Sequence, residues 1–288
     1  PYDRPDSDNS MFKKNGTYVL IGGSGNVGQK LSIYLAKKYK ANIIAVGRRA
    51  MDERINDLSN MVTEVGGRFS YKQNDITNST NTSEVLQSIR EESGEIDGIF
   101  DLAMSLQYSS IQNMTDEIFY HDIEAKVTGS IVLAKAIHDL KLNLDFLCVF
   151  SSGEAFTGSS GWSTYALGCA FEDNYVKYIR ETMQINAVTI NWGFWDKEGD
   201  PYIERLKKNG IYPLTEETGM PLLETALASN EAQILALDVE REILVKMGIV
   251  KPDKVVAKED KAQNITTELS SNSQLTMETV KDYIKTIF

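Results

Sequence analysis

The chain has 288 residues, of which 42% are hydrophobic, and this predicts one large or two small folded domains. A net charge of −11 disfavours a nucleic-acid or anionic-membrane binder, because both need a basic surface. Two cysteines disfavour a disulfide framework, so a reducing, cytoplasmic compartment fits best. The first residues lack the apolar centre of a signal peptide, and no stretch reaches the apolar length that spans a bilayer.

Seven apolar runs alternate with helical patterns from about residue 17 to residue 240. They predict strands at 17–21, 42–46, 69–73, 98–103, 145–150, 187–192 and 233–237. This alternation is typical of a parallel sheet with helices on both faces. Because each strand leads through a helix to a parallel neighbour, we expect an α/β, doubly wound, Rossmann-like sheet of about seven strands.

Three long helices are predicted: one between the first two strands, one over 122–138 and one over 165–178. The residues expected on one apolar face are Val27, Leu31 and Leu35 in the first helix, and Val127, Ile131 and Ala134 in the second. Residues 193–230 break the alternation with glycines and prolines, and they follow the sixth strand, where a substrate lid or an ordinary connection would lie. The predicted organisation is a linker over 1–14, a catalytic domain over 15–245 with a lid at 193–230, a linker over 246–275 and a helix over 276–288.

The segment TYVLIGGSGNVG places a strand directly before a glycine triplet and a helix directly after it. In this context the first glycine permits a tight turn, the second lets the backbone approach a pyrophosphate, and the third lets helix and strand pack closely. The free N–H groups of the helix N-terminus favour the phosphates. We therefore expect a dinucleotide to be held by Gly23, Ser24, Gly25, Asn26, Val27 and Gly28.

Two further segments indicate which dinucleotide is bound. Arg48 and Arg49 stand after the second strand, where an Asp would bind the ribose 2′-hydroxyl, and they favour the 2′-phosphate of NADP, with Arg48 the better candidate. After the third strand, Asp75 with Ile76 is placed to accept from the adenine amino group. A helix cap before Thr77 is the alternative role for Asp75.

Ser152 and Tyr165 form a hydroxyl pair thirteen residues apart, downstream of the glycine turn. Adding hydride to a ketone turns its oxygen into an alkoxide, which must be stabilised and protonated. A tyrosine can deliver that proton if a nearby cation lowers its pKa, and a serine hydroxyl can hold the same oxygen. No cluster of residues predicts a metal site.

These motifs resemble the catalytic part of a ketoreductase domain of a modular bacterial polyketide synthase, a branch of the short-chain dehydrogenase/reductase family. The matching segments span about residues 15–230 and are TYVLIGGSGNVG, GRR, NDI, AKVTGSIVLAKAI, FSSGEAFTGSSGWSTYALGCAFEDN, VTINWGFWDKEG and GIYPLTEETGM. The resemblance implies NADPH-dependent reduction of a ketoacyl thioester. It also implies an acyl carrier protein with its phosphopantetheine arm, and neighbouring synthase domains, as partners.

The resemblance also implies the roles of single residues. Tyr165 would be the general acid, Ser152 the carbonyl anchor and Lys126, in AKVTG, the cation. Ser151 is the weaker serine, because its spacing to Tyr165 is one residue too long. Cys169 stands where this branch usually has Asn, and a thiol is a poor hydrogen-bond partner, so we expect Lys126 to be held less firmly.

Several alternatives stay open at this stage. One stereochemical class carries Leu-Asp-Asp where this chain has Leu106-Gln107-Tyr108, and the other carries Trp where it has Thr157. The reduced ketone could be α or β to the thioester. An impaired, architectural ketoreductase-like domain is the main alternative to an enzyme, with Cys169 in its favour. An extended family member acting on nucleotide sugars or small alcohols is disfavoured, because Cys169 replaces the Lys of its Tyr-x-x-x-Lys pattern.

Overall fold

The computed structural model describes residues 10–251. Seven strands form one parallel sheet in the order β3-β2-β1-β4-β5-β6-β7. Their bounds are β1 Thr17–Ile21, β2 Asn42–Gly47, β3 Arg68–Gln73, β4 Gly98–Asp101, β5 Phe146–Ser152, β6 Ala187–Trp192 and β7 Gln233–Ala236. The doubly wound, Rossmann-like prediction is confirmed, and the strand order reverses between β1 and β4.

The helices of the described residues connect these strands on both faces of the sheet. Their bounds are α1 Asn26–Tyr39, α2 Glu53–Glu64, α3 Ser79–Ser93, α4 Asp116–Asp139, α5 Glu154–Thr157, α6 Ser163–Met183, α7 Tyr202–Lys208, α8 Glu216–Ala228 and α9 Arg241–Lys246. A short 3₁₀ turn over Ile111–Asn113 precedes α4. No helix in the described part of the chain is long and apolar enough to cross a membrane.

Alternate residues of each central strand enter two separate apolar clusters. In β1, Tyr18 and Leu20 pack with residues of α1, α2 and α8, whereas Val19 and Ile21 pack with residues of α3, α4 and α6. This follows from the period of two in a strand that is buried on both faces. Each fully buried aliphatic side chain of this kind contributes about 1.5–3 kcal/mol relative to an exposed one.

Two strand ends differ from the sequence prediction by two residues, and the other differences are of one residue. β4 stops at Asp101, whose Oδ1 accepts a hydrogen bond from the backbone N–H of Ala103 and so draws the chain out of the ladder. β5 runs on to Ser152, which pairs in register with Trp192 of β6. Ser152 therefore lies at the last rung of a central strand, at the carboxyl edge of the sheet.

The predicted face of α4 is right at Ala134, which is buried, but not at Val127, which is half-buried, or at Ile131. Ile131 is 41% exposed, and the buried residues of the helix are Asp122, Ala125, Lys126, Gly129, Ser130, Leu133, Ala134, Ala136 and Ile137. The helix packs against α6 as well as against the sheet, so small and polar residues occupy the buried side. An apolar count along the sequence cannot find a face that is built in this way.

The boundaries of the folded unit also differ from the expected organisation. Phe12, placed in a linker by the sequence, packs its ring on Tyr18, Phe100 and Phe146. In the expected lid, Leu214 and the apolar side chains of α8 are buried in the core cluster beside α1, and residues 193–215 are the part that precedes α8. The expected linker beyond residue 251 and the expected helix over 276–288 lie outside the described residues.

Candidate active site

A cleft opens along the carboxyl edge of the sheet, beside the point where the strand order reverses. It is lined by residues that follow β1, β2, β3 and β4 and by the exposed side of α4, namely Ile21, Gly22, Val46, Gly47, Arg48, Asn74, Asp75, Ile76, Thr77, Ala103, Met104, Ser105, His121, Glu124 and Ala125. Ligands of doubly wound sheets bind at this edge. The cleft therefore has the position expected of a nucleotide site.

The glycine turn after β1 uses a glycine that the sequence analysis did not assign. Gly22, not Gly23, adopts the left-handed conformation, with φ +77°, and a Cβ there would lie 2.9 Å from the Leu102 carbonyl oxygen. Gly23 is instead required by crowding, since its Cβ would lie 2.8 Å from Leu20 Cβ. At Gly28 a Cβ would lie 2.4 Å from the Gly23 carbonyl oxygen, which confirms its predicted packing role.

The N-terminus of α1 faces the expected phosphate position without a side-chain cap. Gly25 is the N-cap residue, and within the described chain no side chain bonds to this helix end. Gly25 is exposed, and a Cβ there would meet only the Gly22 carbonyl oxygen, at 3.3 Å. Uncapped N–H groups with open space in front of them form an anion site.

The neighbours of Gly25 have different surroundings. The Ser24 carbonyl accepts a hydrogen bond from the Gln29 side-chain amide, and the Ser24 hydroxyl lies beside Gly47. Asn26 donates to the Asp196 carbonyl at 3.1 Å and so links α1 to the 193–215 segment. The Val27 side chain is half-buried against the core. Its backbone, rather than its side chain, is therefore the part that can contact a ligand.

The two arginines after β2 differ in position. Both are exposed, but Arg48 lines the cleft, whereas Arg49 lies toward Asp52, whose pKa is lowered first by Arg54 and also by Arg49. Asp75 lines the cleft, and its Oδ1 accepts from the backbone N–H and the hydroxyl of Thr77. The helix-cap alternative for Asp75 is wrong, because α3 begins at Ser79 and Asn78 is its N-cap. Asp75 instead makes a local turn with Thr77, and its side chain borders the cleft.

Ile76 forms the buried wall of the cleft. Its side chain is 5% exposed and packs against Gly129 of α4. A Cβ at Gly129 would lie 2.9 Å from Ile76 Cγ2. Together with the uncapped helix end and Arg48, these residues fit a nicotinamide dinucleotide.

β5, α4 and α6 bring the predicted catalytic residues together. Ser152 ends β5, Tyr165 lies in the first turn of α6, and the Ser152 side chain is close enough to Tyr165 to lower its pKa. Lys126 of α4 places its ammonium 5.6 Å from the centre of the Tyr165 ring. Burial raises the pKa of Tyr165 to about 12 against the opposing effect of Lys126.

Lys126 is held by two acceptors, neither of which the sequence analysis named. Its Nζ donates to the Phe150 carbonyl at 3.1 Å and to Glu172 Oε2 at 2.8 Å, and both side chains of this ion pair are buried. Burial lowers the pKa of Lys126, but Glu172, Cys169 and Tyr165 together outweigh burial, so the pKa of Lys126 lies above its ordinary value. The expectation that Cys169 leaves Lys126 loosely held is therefore wrong, because Glu172 takes over the anchoring.

Cys169 is a buried free thiol beside this ion pair, and burial raises its pKa. Ser151, the weaker serine candidate, is buried and turned away from the cleft. Its hydroxyl donates to the Cys169 carbonyl at 3.4 Å and accepts from Asn191 at 3.1 Å, and the same Asn191 amide donates to Asp173. The geometry thus favours Ser152, which is partly exposed, as the serine that can meet a ligand.

A signal for Glu172 was present in the sequence. The buried residues of α6 recur at helical spacing: Thr164, Gly168, Cys169, Glu172, Asp173, Val176 and Ile179. Glu172 is a charged residue on that buried stripe, seven residues after Tyr165 and therefore two turns along the same face. A buried charge needs a partner, and Lys126 is that partner.

A sequence signal for Gly22 was also present. The tight turn directly after β1 needs a residue that adopts the left-handed conformation, and glycine adopts it most readily.

Comparisons with known proteins identify the family of this chain. The KR domain family matches residues 16–197. The chain is 31% identical to polyketide synthase ThaG of Burkholderia thailandensis over 244 residues and 30% identical to polyketide synthase PksN of Bacillus subtilis over 237 residues. These stretches cover 83% and 81% of this chain, and the chain spans only 4% of the length of each synthase.

Solved structures show the same fold. A ketoreductase domain from the bacillaene assembly line superposes with a TM-score of 0.78 at 22% identity, covering 85% of this chain and 61% of that one. An N-terminal ketoreductase from the macrolactin assembly line gives 0.74 at 26% identity, covering 82% and 47%. The fold and site are those of a nicotinamide-dependent oxidoreductase of the short-chain dehydrogenase/reductase type. The chain belongs to the KR domain family, the ketoreductase domains of polyketide synthases.

Proposed function

We propose that this domain uses NADPH to reduce the ketone of a ketoacyl thioester to the hydroxyacyl thioester, with the acyl chain carried by an acyl carrier protein. The observation that carries the proposal is the convergence of Ser152, Tyr165 and Lys126. Ala125, the chain neighbour of Lys126, lines the same cleft as Gly22 and Arg48. Each residue alone has an ordinary structural explanation, whereas their combination at one sheet edge matches the needs of carbonyl reduction.

The proton transfer falls to this chain's own residues. The Ser152 hydroxyl holds the ketone oxygen, and the Tyr165 hydroxyl donates its proton to that oxygen as it becomes an alkoxide. The Lys126 ammonium favours the phenolate that Tyr165 then becomes. When bound, NADPH supplies the hydride that adds to the carbonyl carbon, so hydride and proton together convert ketone to alcohol.

The choice of NADPH over NADH rests on Arg48. Its exposed guanidinium lines the cleft after β2, and it carries the positive charge and paired donors that a 2′-phosphate takes up. The proposal that the phosphopantetheine arm enters over the 193–215 segment rests on the position of that segment. It follows β6 at the carboxyl edge and is tied to α1 through Asn26 and Asp196.

The test is NADPH oxidation with a small β-ketoacyl thioester and with an α-keto analogue, for the wild type and for Tyr165→Phe. We expect turnover in the wild type and a loss of about 10²–10⁴-fold in kcat for the variant, because the general acid is gone. NADPH binding should be unchanged, since Tyr165→Phe removes only a hydroxyl. NADPH binding without turnover on either substrate would instead favour the architectural alternative.

A further inference from the structure

The buried Lys126–Glu172 ion pair lies between α4 and α6, and its geometry fixes the ammonium. The side chains are 2% and 1% exposed. The stem of Lys126 passes Gly168, where a Cβ would lie 3.1 Å from Lys126 Cβ, so α6 gives it room. Phe150 of β5 and Glu172 of α6 then accept from the ammonium on two sides.

The same ammonium faces Tyr165. Tyr165 and Glu172 are seven residues apart on α6, so both point from one face of that helix toward Lys126. Lys126 therefore stands between the hydroxyl it should activate and a carboxylate that neutralises it. In a buried setting both interactions are strong, because little water screens them.

The remaining surroundings of Glu172 are also charged or polar. Ser130 of α4 donates to Glu172 Oε1 at 3.4 Å and lies 3.5 Å from Asp101 of β4. Asp173 and Cys169 of α6 are its titratable neighbours on its own helix. β5 contributes the apolar side chains of Leu147 and Val149 to the small cavity beside these groups.

Lys126 is thus a buried cation among three carboxyl groups, those of Glu172, Asp101 and Asp173, and it lowers the pKa of each. Burial and the nearby Asp101 hold the pKa of Glu172 above its ordinary value, while Lys126 opposes this rise. Above about pH 8, where Glu172 is ionised, its carboxylate reduces the positive field that Tyr165 meets, compared with an unpaired lysine.

We propose that Glu172 is a positioning residue that acts through Lys126: it holds the ammonium against Tyr165 and offsets part of its charge, so that Tyr165 stays protonated. The catalytic meaning of this assignment rests on the proposed ketoreductase function, but the electrostatic link does not. A protonated Tyr165 is the form that donates to a ketone oxygen, so the pair favours reduction over oxidation of the alcohol.

The first experiment measures the titration of Tyr165 without any turnover. In protein labelled with [¹³Cζ]tyrosine, the Tyr165 signal is assigned by its loss in Tyr165→Phe and followed with pH by NMR. Glu172→Gln keeps an oxygen acceptor for Lys126 and removes the charge, whereas Glu181→Gln removes a charge from the exposed side of α6 as the matched control. We expect Glu172→Gln to lower the Tyr165 midpoint by about one pH unit, a tenfold change in acidity, and Glu181→Gln to leave it in place.

An unchanged midpoint in folded Glu172→Gln protein would overturn the proposal. Should that variant not fold, Glu172→Asp keeps the charge but draws it away from Lys126. We then expect a smaller shift in the same direction, and an unchanged midpoint would again contradict the proposal.

The second experiment measures initial rates in both directions. For Glu172→Gln the alkaline limb of reduction should move to lower pH, and alcohol oxidation above pH 8, where wild-type Glu172 is ionised, should rise, because phenolate is the base for that direction. A purely structural role for Glu172 would lower both rates together at every pH, which would contradict the assignment.

The two experiments together separate this proposal from the proposed function. A shifted Tyr165 midpoint in a protein without turnover would refute the proposed function and support the role of Glu172. Turnover with an unshifted midpoint would do the reverse.

Discussion

Arg48 and Arg49 are adjacent in the chain but stand differently toward the cleft. Residues at the end of a strand alternate in direction, so only one of two neighbours can turn toward a given ligand. Arg48 lines the cleft, whereas Arg49 lies toward Asp52. The pair therefore offers its own matched control for cofactor choice.

We predict that Arg48→Ala weakens NADPH binding about tenfold or more and leaves NADH binding nearly unchanged. A hydrogen bond to a charged group is worth about 1.5–3 kcal/mol, and only NADPH carries the 2′-phosphate. Isothermal titration with both cofactors gives the two dissociation constants. Arg49→Ala should have the smaller effect, and equal losses in the two variants would contradict the assignment of Arg48.

At the scale of elements, the turn between β1 and α1 divides its glycines between two tasks. Gly22, Gly23 and Gly28 are required by backbone conformation or crowding, since a Cβ at any of them would lie less than 3.0 Å from a neighbouring atom. Gly25 is required by neither, because its Cβ would meet one carbonyl oxygen at 3.3 Å. Its purpose is then to keep space open before the N-terminus of α1.

We predict opposite outcomes for two substitutions in this turn. Gly25→Ala should change the free energy of unfolding by no more than about 0.5 kcal/mol, as for other exposed sites, and raise the NADPH dissociation constant about tenfold. Gly28→Ala should cost about 1–3 kcal/mol of stability, because β1 and α1 must move apart. Urea unfolding and cofactor titration of both variants separate the two effects. A stable Gly25→Ala protein with normal NADPH affinity would remove the phosphate role from Gly25.

At the scale of the whole molecule, the polar cluster inside the sheet–helix layer makes stability depend on pH. Asp101 is 1% exposed, and burial raises its pKa, partly countered by Lys126. The pKa of Glu172 is raised as well, first by burial. A carboxyl whose folded pKa is raised contributes stability that is full below its unfolded pKa, about 4, and is lost as pH rises through the folded pKa.

We predict that the wild type loses stability between pH 5 and about pH 8 and that Asp101→Asn reduces this slope. The variant removes one titrating carboxyl and the repulsion it exerts on Glu172. Urea unfolding of both proteins across this range gives the free energy of unfolding at each pH. The difference between the two curves isolates Asp101, because the other titrating groups are the same in both proteins. Parallel curves would show that Asp101 does not titrate in this window.

Much of the fold was readable from the sequence. Continuous apolar runs and helical periodicity determined the seven strands and the doubly wound class, because burial on both faces of a sheet leaves a local pattern. The glycine triplet after β1 and the spacing of Ser152 and Tyr165 likewise depend on neighbours close in the chain. The face of α4 was misjudged in part, since its partner α6 lies far along the chain and accepts small and polar residues.

The sequence by itself determined the class of fold, and it predicts a cofactor cleft at the sheet edge and a catalytic pair of Ser152 and Tyr165, because each depends on local pattern or on chain direction at that edge. Only the tertiary structure decided what holds Lys126. The partner, Glu172, lies 46 residues away and reaches the ammonium because α4 and α6 pack side by side. Which charges meet in a buried layer depends on helix rotation and on the packing of distant segments, and neither is written in the spacing of residues along one element.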